Sequence, residues 1–256
     1  MSKNAQKGGH KMALNERQDT ILQTLKEHRS ASVKKLAKLL FVSEATIRRD
    51  LQEMQSMGLI ERNHGGAILP EHADEISIFF RMQKNPKEKE RVATKALSHI
   101  PPFRSVFIDS SSTALALAER MDLSFKTVVT NNLQTAIQLS KKPNLHLILL
   151  GGTVQFNTNS ATGSWTARQL GDFSFDLMLC SCASVRGVEA LERSIEQKEI
   201  KRTAFLRSEK RILLFDHTKL NESGTYLQAK LSEFDLVVTD EKPPESLLDG
   251  SVKIVY

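Results

Sequence analysis

Four consecutive hydroxyl-bearing residues, Ser110, Ser111, Ser112 and Thr113, follow Asp109 between an apolar run and a helical pattern over 114–121. At the mouth of a helix these residue types combine free backbone amides, the positive end of a dipole and side-chain donors, which together suit a phosphate. Like charges keep Asp109 off the phosphate and turn it toward the hydroxyls at a ligand's other end. Compatible chemistry stands at Thr130-Asn131, at Gly151-Gly152, where backbone can approach closely, at Asp216, and at Lys219, which offers a positive charge. The same residues also read as ordinary turn and cap formers, as in any α/β protein.

A second constellation lies near the N-terminus. Ser43 can cap a helix, Glu44 suits its positive end, and Ile47, Leu51 and Met54 repeat on one face. Ala45, Arg48, Arg49 and Gln52 occupy the opposite face, with Ser43 and Thr46 presented from the first turn. Gly58 is expected to close this helix. Arg62 and His64 follow at the tip of a glycine-containing hairpin, within reach of phosphate or a minor groove. Paired arginines on an outward face are donors for guanine edges or phosphate, and the spacing predicts double-stranded DNA as partner rather than a protein surface.

The elements that must position these groups follow from periodicity. Leu14, Ile21, Leu22 and Leu25 share a helical stripe, and Ser32 caps a second stripe of Val33, Leu36, Ala37 and Leu40. Apolar runs of strand length recur at 105–108, 127–129, 145–150, 177–182, 211–215 and 236–238, several of them separated by helical patterns, beginning with a helix over 86–99. The expected fold class is α/β, an N-terminal winged helix-turn-helix followed by a mainly parallel α/β domain. The expected boundaries are 12–70 for the DNA-binding domain, 71–85 for a polar connector and 86–256 for an effector-sensing and oligomerisation domain. In such sheets ligands gather beyond the carboxyl ends of the strands, where the first constellation stands.

Charge divides the 256-residue chain in the same way. Residues 1–70 carry twelve Lys and Arg against seven Asp and Glu, whereas the whole chain is only +6. A basic head on a near-neutral body places the polyanion at the head. No apolar run approaches the ~20 residues that cross a bilayer, and the basic N-terminus lacks a secretory core, so no membrane and a cytoplasmic location are expected. Cys180 and Cys182 read as buried thiols rather than metal ligands. No metal and no cofactor are expected.

The segment from Ser43 to Leu51 with Arg62-Asn63-His64-Gly65-Gly66-Ala67 resembles the DeoR-type family of bacterial transcription regulators. The resemblance continues through Arg81, Glu88-Lys89, Asp109 with Thr113, Thr130-Asn131, Leu150-Gly151-Gly152, Gly163, Asp176, Lys201 and Asp216 with Lys219. It implies a sensor related in fold to ribose 5-phosphate isomerase, repression of sugar-metabolism genes, relief by a phosphorylated sugar, and homo-oligomers. It also adds Lys201 to the effector residues. Ser111 stands where that family usually has glycine, and Ser181-Cys182-Ala183-Ser184 replaces its glycine-containing turn. The alternatives are a regulator with a degenerate, ligand-free sensor and a sugar-phosphate isomerase-like enzyme using Asp109, Glu196, Lys201, Asp216 and Lys219. A DNA-binding head serves no purpose in the second, so the expected protein is not an enzyme.

Overall fold

The computed structural model describes residues 15–56, 59–63, 65–69, 77–248 and 250–256. The chain divides into two compact units, Met1–Ala73 and Asp74–Tyr256.

In the first unit Asn15 opens α1 (Glu16–His28) with a capping box, accepting from the Gln18 amide while the Gln18 side chain accepts from the Asn15 amide. β1 (Ser30–Ser32) follows, and the Ser32 hydroxyl accepts from the Lys35 amide at 3.1 Å to start α2 (Val33–Leu40). Phe41, in the left-handed region at φ 54°, ends that helix. The Thr46 amide donates to Ser43 at 3.2 Å, as expected of a cap, and α3 (Glu44–Ser56) begins. Ile47, Leu51 and Met54 are fully buried against Ile21, Leu25 and Leu36 in one small core. β2 (Glu61–Asn63) and β3 (Gly66–Ile68) form an antiparallel hairpin, and β1 pairs with the other side of β3. A methyl group on Gly66 would stand 2.1 Å from the Ala31 carbonyl oxygen, so only glycine lets β1 close on the hairpin. This is a winged helix-turn-helix whose wing has three strands. Leu14, Gly58 and His64, each used in the sequence reading, lie outside the described residues.

The second unit begins earlier than a polar connector over 71–85 would allow. α4 (Ile78–Gln83) buries Ile78 completely, and the Ile78 amide donates to the Asn157 carbonyl at 2.8 Å. The Lys89 ammonium, on α5 (Pro86–Leu97), donates to the Arg81 and Lys84 carbonyls and ties the C-terminal end of α4 down. Residues 77–85 are therefore part of this unit. Leu97 is partly exposed rather than packed with Val92, Ala93 and Ala96, and Lys89 takes a buried place instead.

The sheet is built from β4 (Ser105–Ile108), β5 (Thr127–Thr130), β6 (His146–Leu149), β9 (Phe175–Cys180), β12 (Ser208–Phe215), β14 (Leu236–Thr239) and β15 (Ile254–Val255). All seven run parallel in the order β15-β14-β12-β9-β4-β5-β6. α5, α6 (Ser112–Ala118) and α7 (Leu133–Leu139) bury Val92, Leu117 and Leu139 in a core with Val106, Ile108 and Leu214. α8 (Ser164–Gly171) and α9 (Ile195–Leu206) bury Leu170 and Ile200 in a second core with Phe107, Met178 and Phe215. Strand residues alternate between the two cores, as the period of two requires. Two antiparallel ribbons sit beside the main sheet: β7 (Thr153–Gln155) with β8 (Ser160–Thr162), and β10 (Ser184–Arg186) with β11 (Glu189–Glu192) and β13 (Tyr226–Lys230). No described helix is long and apolar enough to cross a membrane.

Candidate functional site

The hydroxyl run lies where β4 gives way to α6, and each of its three serines has specific work. Ser111 caps α6, accepting from the Ala114 amide at 3.1 Å while donating to Asp109 Oδ1 at 2.5 Å. Ser110 donates to Gln197 Oε1 at 2.9 Å and Ser112 to the Arg81 carbonyl at 3.2 Å. The run holds α4, α6 and α9 together at the carboxyl end of the sheet.

Asp109 is turned into the protein. Its carboxylate is buried, accepting from the Ser111 amide at 3.0 Å and from the Ser181 amide at 3.0 Å, and it meets the Lys201 ammonium at 2.9 Å. Lys201 is itself buried, 2.5 Å from Glu192 and 2.7 Å from the Ser181 carbonyl. Burial alone would lower the Lys201 pKa, but Asp109 and Glu192 hold it above its ordinary value. The expectation that Asp109 turns toward ligand hydroxyls is corrected: three polar partners consume it inside the protein.

Above this triad lies a cleft. One part is walled by Arg81, Ser110, Ser111, Glu192, Arg193, Gln197, Lys201 and Lys219, with Cys182 at its floor. The adjoining part adds Lys84, Asn85, Lys89, Ser112, Thr113, Asp216, Thr218 and Glu222. Six cationic side chains thus surround the cleft against three carboxylates, and the carboxylates are already engaged. Glu222 accepts from Lys84 at 2.8 Å and Arg193 at 2.5 Å, and those cations hold its pKa down despite burial. Glu192 is bound to Lys201. Asp216 caps the turn His217–Asn221 by accepting from the Thr218 amide and hydroxyl.

Lys219 is different. It is half-buried, burial lowers its pKa, and its ammonium has no hydrogen bond or ion pair among the described residues. Lys89 is more deeply buried, and burial pushes its pKa down to about 7, with Asp216 opposing and Lys219, Arg81 and Lys84 reinforcing. A desolvated, partly uncompensated group of cations lining a cleft is an environment that an anion relieves.

Other residues expected at the site do structural work beside it and are not among those lining this cleft. Thr130 accepts from the Asn132 amide at 3.1 Å, and the Asn131 side chain donates to the Ala161 carbonyl at 2.9 Å, fastening β8 to the end of β5. Gly151 exchanges hydrogen bonds with the Gln169 side chain. A methyl on Gly152 would lie 1.9 Å from the Thr166 hydroxyl, so this glycine lets α8 approach. The sequence reading did not place Lys84, Asn85, Arg193, Gln197 or Glu222 in the site. Their only sequence signal is a scatter of charge, since Lys84 and Glu222 meet across 138 positions.

His217 and Asp240 meet at 2.9 Å on the turn that carries Lys219, with Glu241 3.7 Å from the ring. Arg91 already binds both Asp240, at 2.9 Å, and Glu241, at 3.4 Å, so a cation occupies this His-carboxylate group. Cys180 and Cys182 are free and buried, with burial raising both thiols, Cys182 to about 12. Both are buried thiols, as read from the sequence.

On the first unit, Ser43, Glu44, Ala45, Arg48 and Arg49 are exposed and Thr46 is half-buried, with its hydroxyl 2.9 Å from that of Ser43. Arg48 pairs with Glu44 at 2.6 Å along the helix, whereas Arg49 has no partner among the described residues. Arg62 is exposed on β2. Asp50, between these groups and the core, is buried and takes a bidentate pair from Arg17, at 2.5 and 2.9 Å, which fixes α3 against α1. The outward face of α3 is therefore basic and rigidly backed.

A profile described as the DeoR C terminal sensor domain matches residues 84–241, and one described as the DeoR-like helix-turn-helix domain matches residues 17–73. The chain is 34% identical over 235 residues to the HTH-type transcriptional regulator GolR of Listeria innocua, covering 91% of this chain and 92% of that protein. It is 30% identical over 239 residues to the glycerol-3-phosphate regulon repressor of Escherichia coli, covering 93% and 95%. A solved D-ribose-5-phosphate isomerase in complex with phospho-erythronic acid aligns with 53% of this chain and 54% of its own at 15% identity and a TM-score of 0.38, a likeness too slight to bear on function.

Proposed function

We propose, since the chain belongs to the DeoR family of transcription regulators, that its second unit senses a phosphorylated sugar and thereby controls the hold of the first unit on operator DNA. The protein is a DNA-binding transcription regulator. The finer reading is a homo-oligomeric repressor of a sugar-metabolism operon, relieved when the effector enters the cleft. The observation that carries it is the Lys219 ammonium, desolvated and without a hydrogen bond or ion pair among the described residues, beside Ser111, Ser112 and Thr113. A phosphate there would accept from Lys219 and the neighbouring cations, leaving the sugar hydroxyls to Asn85, Thr218 and Gln197.

Catalysis fits the same geometry poorly. An isomerase needs a carboxylate or similar base free to take a proton from carbon. Here Asp109 is buried under three partners, Glu222 is neutralised by two cations, and Glu192 is bound to Lys201. A ligand-free sensor is disfavoured by Lys219, because an abandoned cleft has no reason to retain an unpaired half-buried cation.

Thermal unfolding with inorganic phosphate, glucose 6-phosphate, fructose 1-phosphate and glycerol 3-phosphate tests the reading, each sugar phosphate paired with its unphosphorylated form. At a hundredfold excess over its dissociation constant the effector adds about 2.7 kcal/mol, a rise of roughly 5–10 °C for a unit of this size. The unphosphorylated forms give no shift, and Lys219→Met abolishes the response. A broad panel of phosphorylated sugars that leaves the transition unmoved contradicts the sensor.

A further inference from the structure

The edge of the seven-stranded sheet formed by β6 is open. Among the described residues β6 pairs only with β5, and its inward bonds run from the His146 amide to the Lys126 carbonyl and from the Leu150 amide to the Thr130 carbonyl. Alternation in a parallel pair then directs the backbone amides and carbonyls of Leu147 and Leu149 outward. Proteins ordinarily guard such an edge with lysine, proline, a bulge or extreme shortness. The opposite edge, β15, has only two residues. β6 has four, His-Leu-Ile-Leu, and none of those guards.

What surrounds β6 is apolar and lacks negative charge. Phe125, whose amide donates to the Asn144 carbonyl just before β6, is 84% exposed, and Trp165 on α8, beyond the other end, is 61% exposed. Ile137 on α7, Leu149 on β6, and Val154 and Phe156 on the following ribbon are exposed too. No Asp or Glu occurs between Asp122 and Asp172, a stretch that supplies β5, α7, β6, β7, β8 and α8, in a chain that is 26% charged. Lys142 is turned away, donating to the Glu119 and Met121 carbonyls. A charge-depleted core with exposed aromatics is the composition of an interface rather than of a solvated surface.

We infer that the β6 edge is where a second copy of this chain docks, strand against strand, so that two sheets join into one. The occupant is a second copy because the edge complements itself. Under a twofold axis through Ile148, Leu147 of one copy stands opposite Leu149 of the other, and each pair exchanges its outward amide and carbonyl. Residues 123–171 bring no carboxylate from either copy, so no acidic repulsion opposes the meeting of the apolar flanks. This inference rests on the homo-oligomer of the proposed function and gives it a surface.

The test is sedimentation of the full chain beside Leu149→Lys/Trp165→Glu and the control Leu206→Lys, which alters an exposed leucine on α9 away from this edge. The expected result is an oligomeric parent and control, and a double variant of half the parent's mass with an unchanged circular dichroism spectrum. Hydrogen exchange on the parent provides a readout independent of any substitution: the Leu147 and Leu149 amides are protected although no strand of their own chain covers them. An oligomeric parent whose mass survives the double substitution, with those two amides exchanging freely, overturns the assignment and leaves the oligomer standing. A monomeric parent overturns both.

Discussion

Arg49 and Lys89 are both cations on helices, yet their surroundings give them different roles. Arg49 is exposed and unpaired among the described residues, whereas its neighbour Arg48 is held by Glu44 and must leave that pair to reach DNA. Exposed pairs of this kind are worth little, so the exchange is cheap. Arg49→Ala is expected to weaken specific binding by about 1–3 kcal/mol if it reads a base edge, or to lower the salt slope by about one if it holds phosphate. Gel-shift titrations at several salt concentrations separate the two, and Glu44→Gln should tighten binding slightly by freeing Arg48. Lys89 has a pKa near 7 because burial disfavours its charge. Its folded pKa lies below the unfolded one, so the folded protein gains stability as pH rises from about 7 toward 10.5, the sign opposite to that of a salt-bridged lysine. An anionic effector pulls the proton back on. Effector binding should therefore take up a proton and weaken as pH rises through about 7, and thermal-shift titrations across pH 6.5–8.5 should show that decline in the parent and its loss in Lys89→Gln.

At the scale of elements, long strands were legible because each carries an apolar run, and β4, β5, β9, β12 and β14 stand within a few residues of the runs that announced them. The ribbons were not. β1, β7, β8 and β10 have three residues each, too few for a period of two to register, and β1 owes its pairing to β3, more than thirty positions on. The cleft divided in the same way. Ser110 to Thr113 and Lys219 are legible because strand ends mark themselves, whereas α4 with Arg81, and Lys84 at its end, reads as a polar connector. Asp109 was identified as important and misdirected, since its burial depends on Lys201, 92 positions away in the numbering, folding onto it from α9. That triad links β4, β11 and α9. Lys201→Met should cost about 3–5 kcal/mol by leaving two buried carboxylates without a cation, readable as a lower denaturant midpoint. Lys219→Met, which breaks no pair, should leave stability unchanged or raised while removing the effector response.

At the scale of the whole molecule, the charge split seen in the sequence matches the division into two compact units, a basic head with an outward arginine and a near-neutral body holding a cationic cleft. On the proposed reading each half alone has a limited use, since the head would make few contacts to DNA and the cleft would bind an anion without consequence. Their fusion turns the differential affinity of one ligand into a change in the other, and by linkage the effector must weaken DNA by the factor by which DNA weakens the effector. The most direct measurement is fluorescence anisotropy of the full chain on a genomic DNA fragment selected by the protein itself, titrated with the sugar phosphate that gives the largest thermal shift. The account predicts that this compound releases the DNA from the parent protein, that its unphosphorylated form does not, and that Lys219→Met binds the same fragment with unchanged affinity but is no longer released. Release of Lys219→Met at the same effector concentration as the parent, or a parent that keeps its DNA at saturating effector, would contradict it.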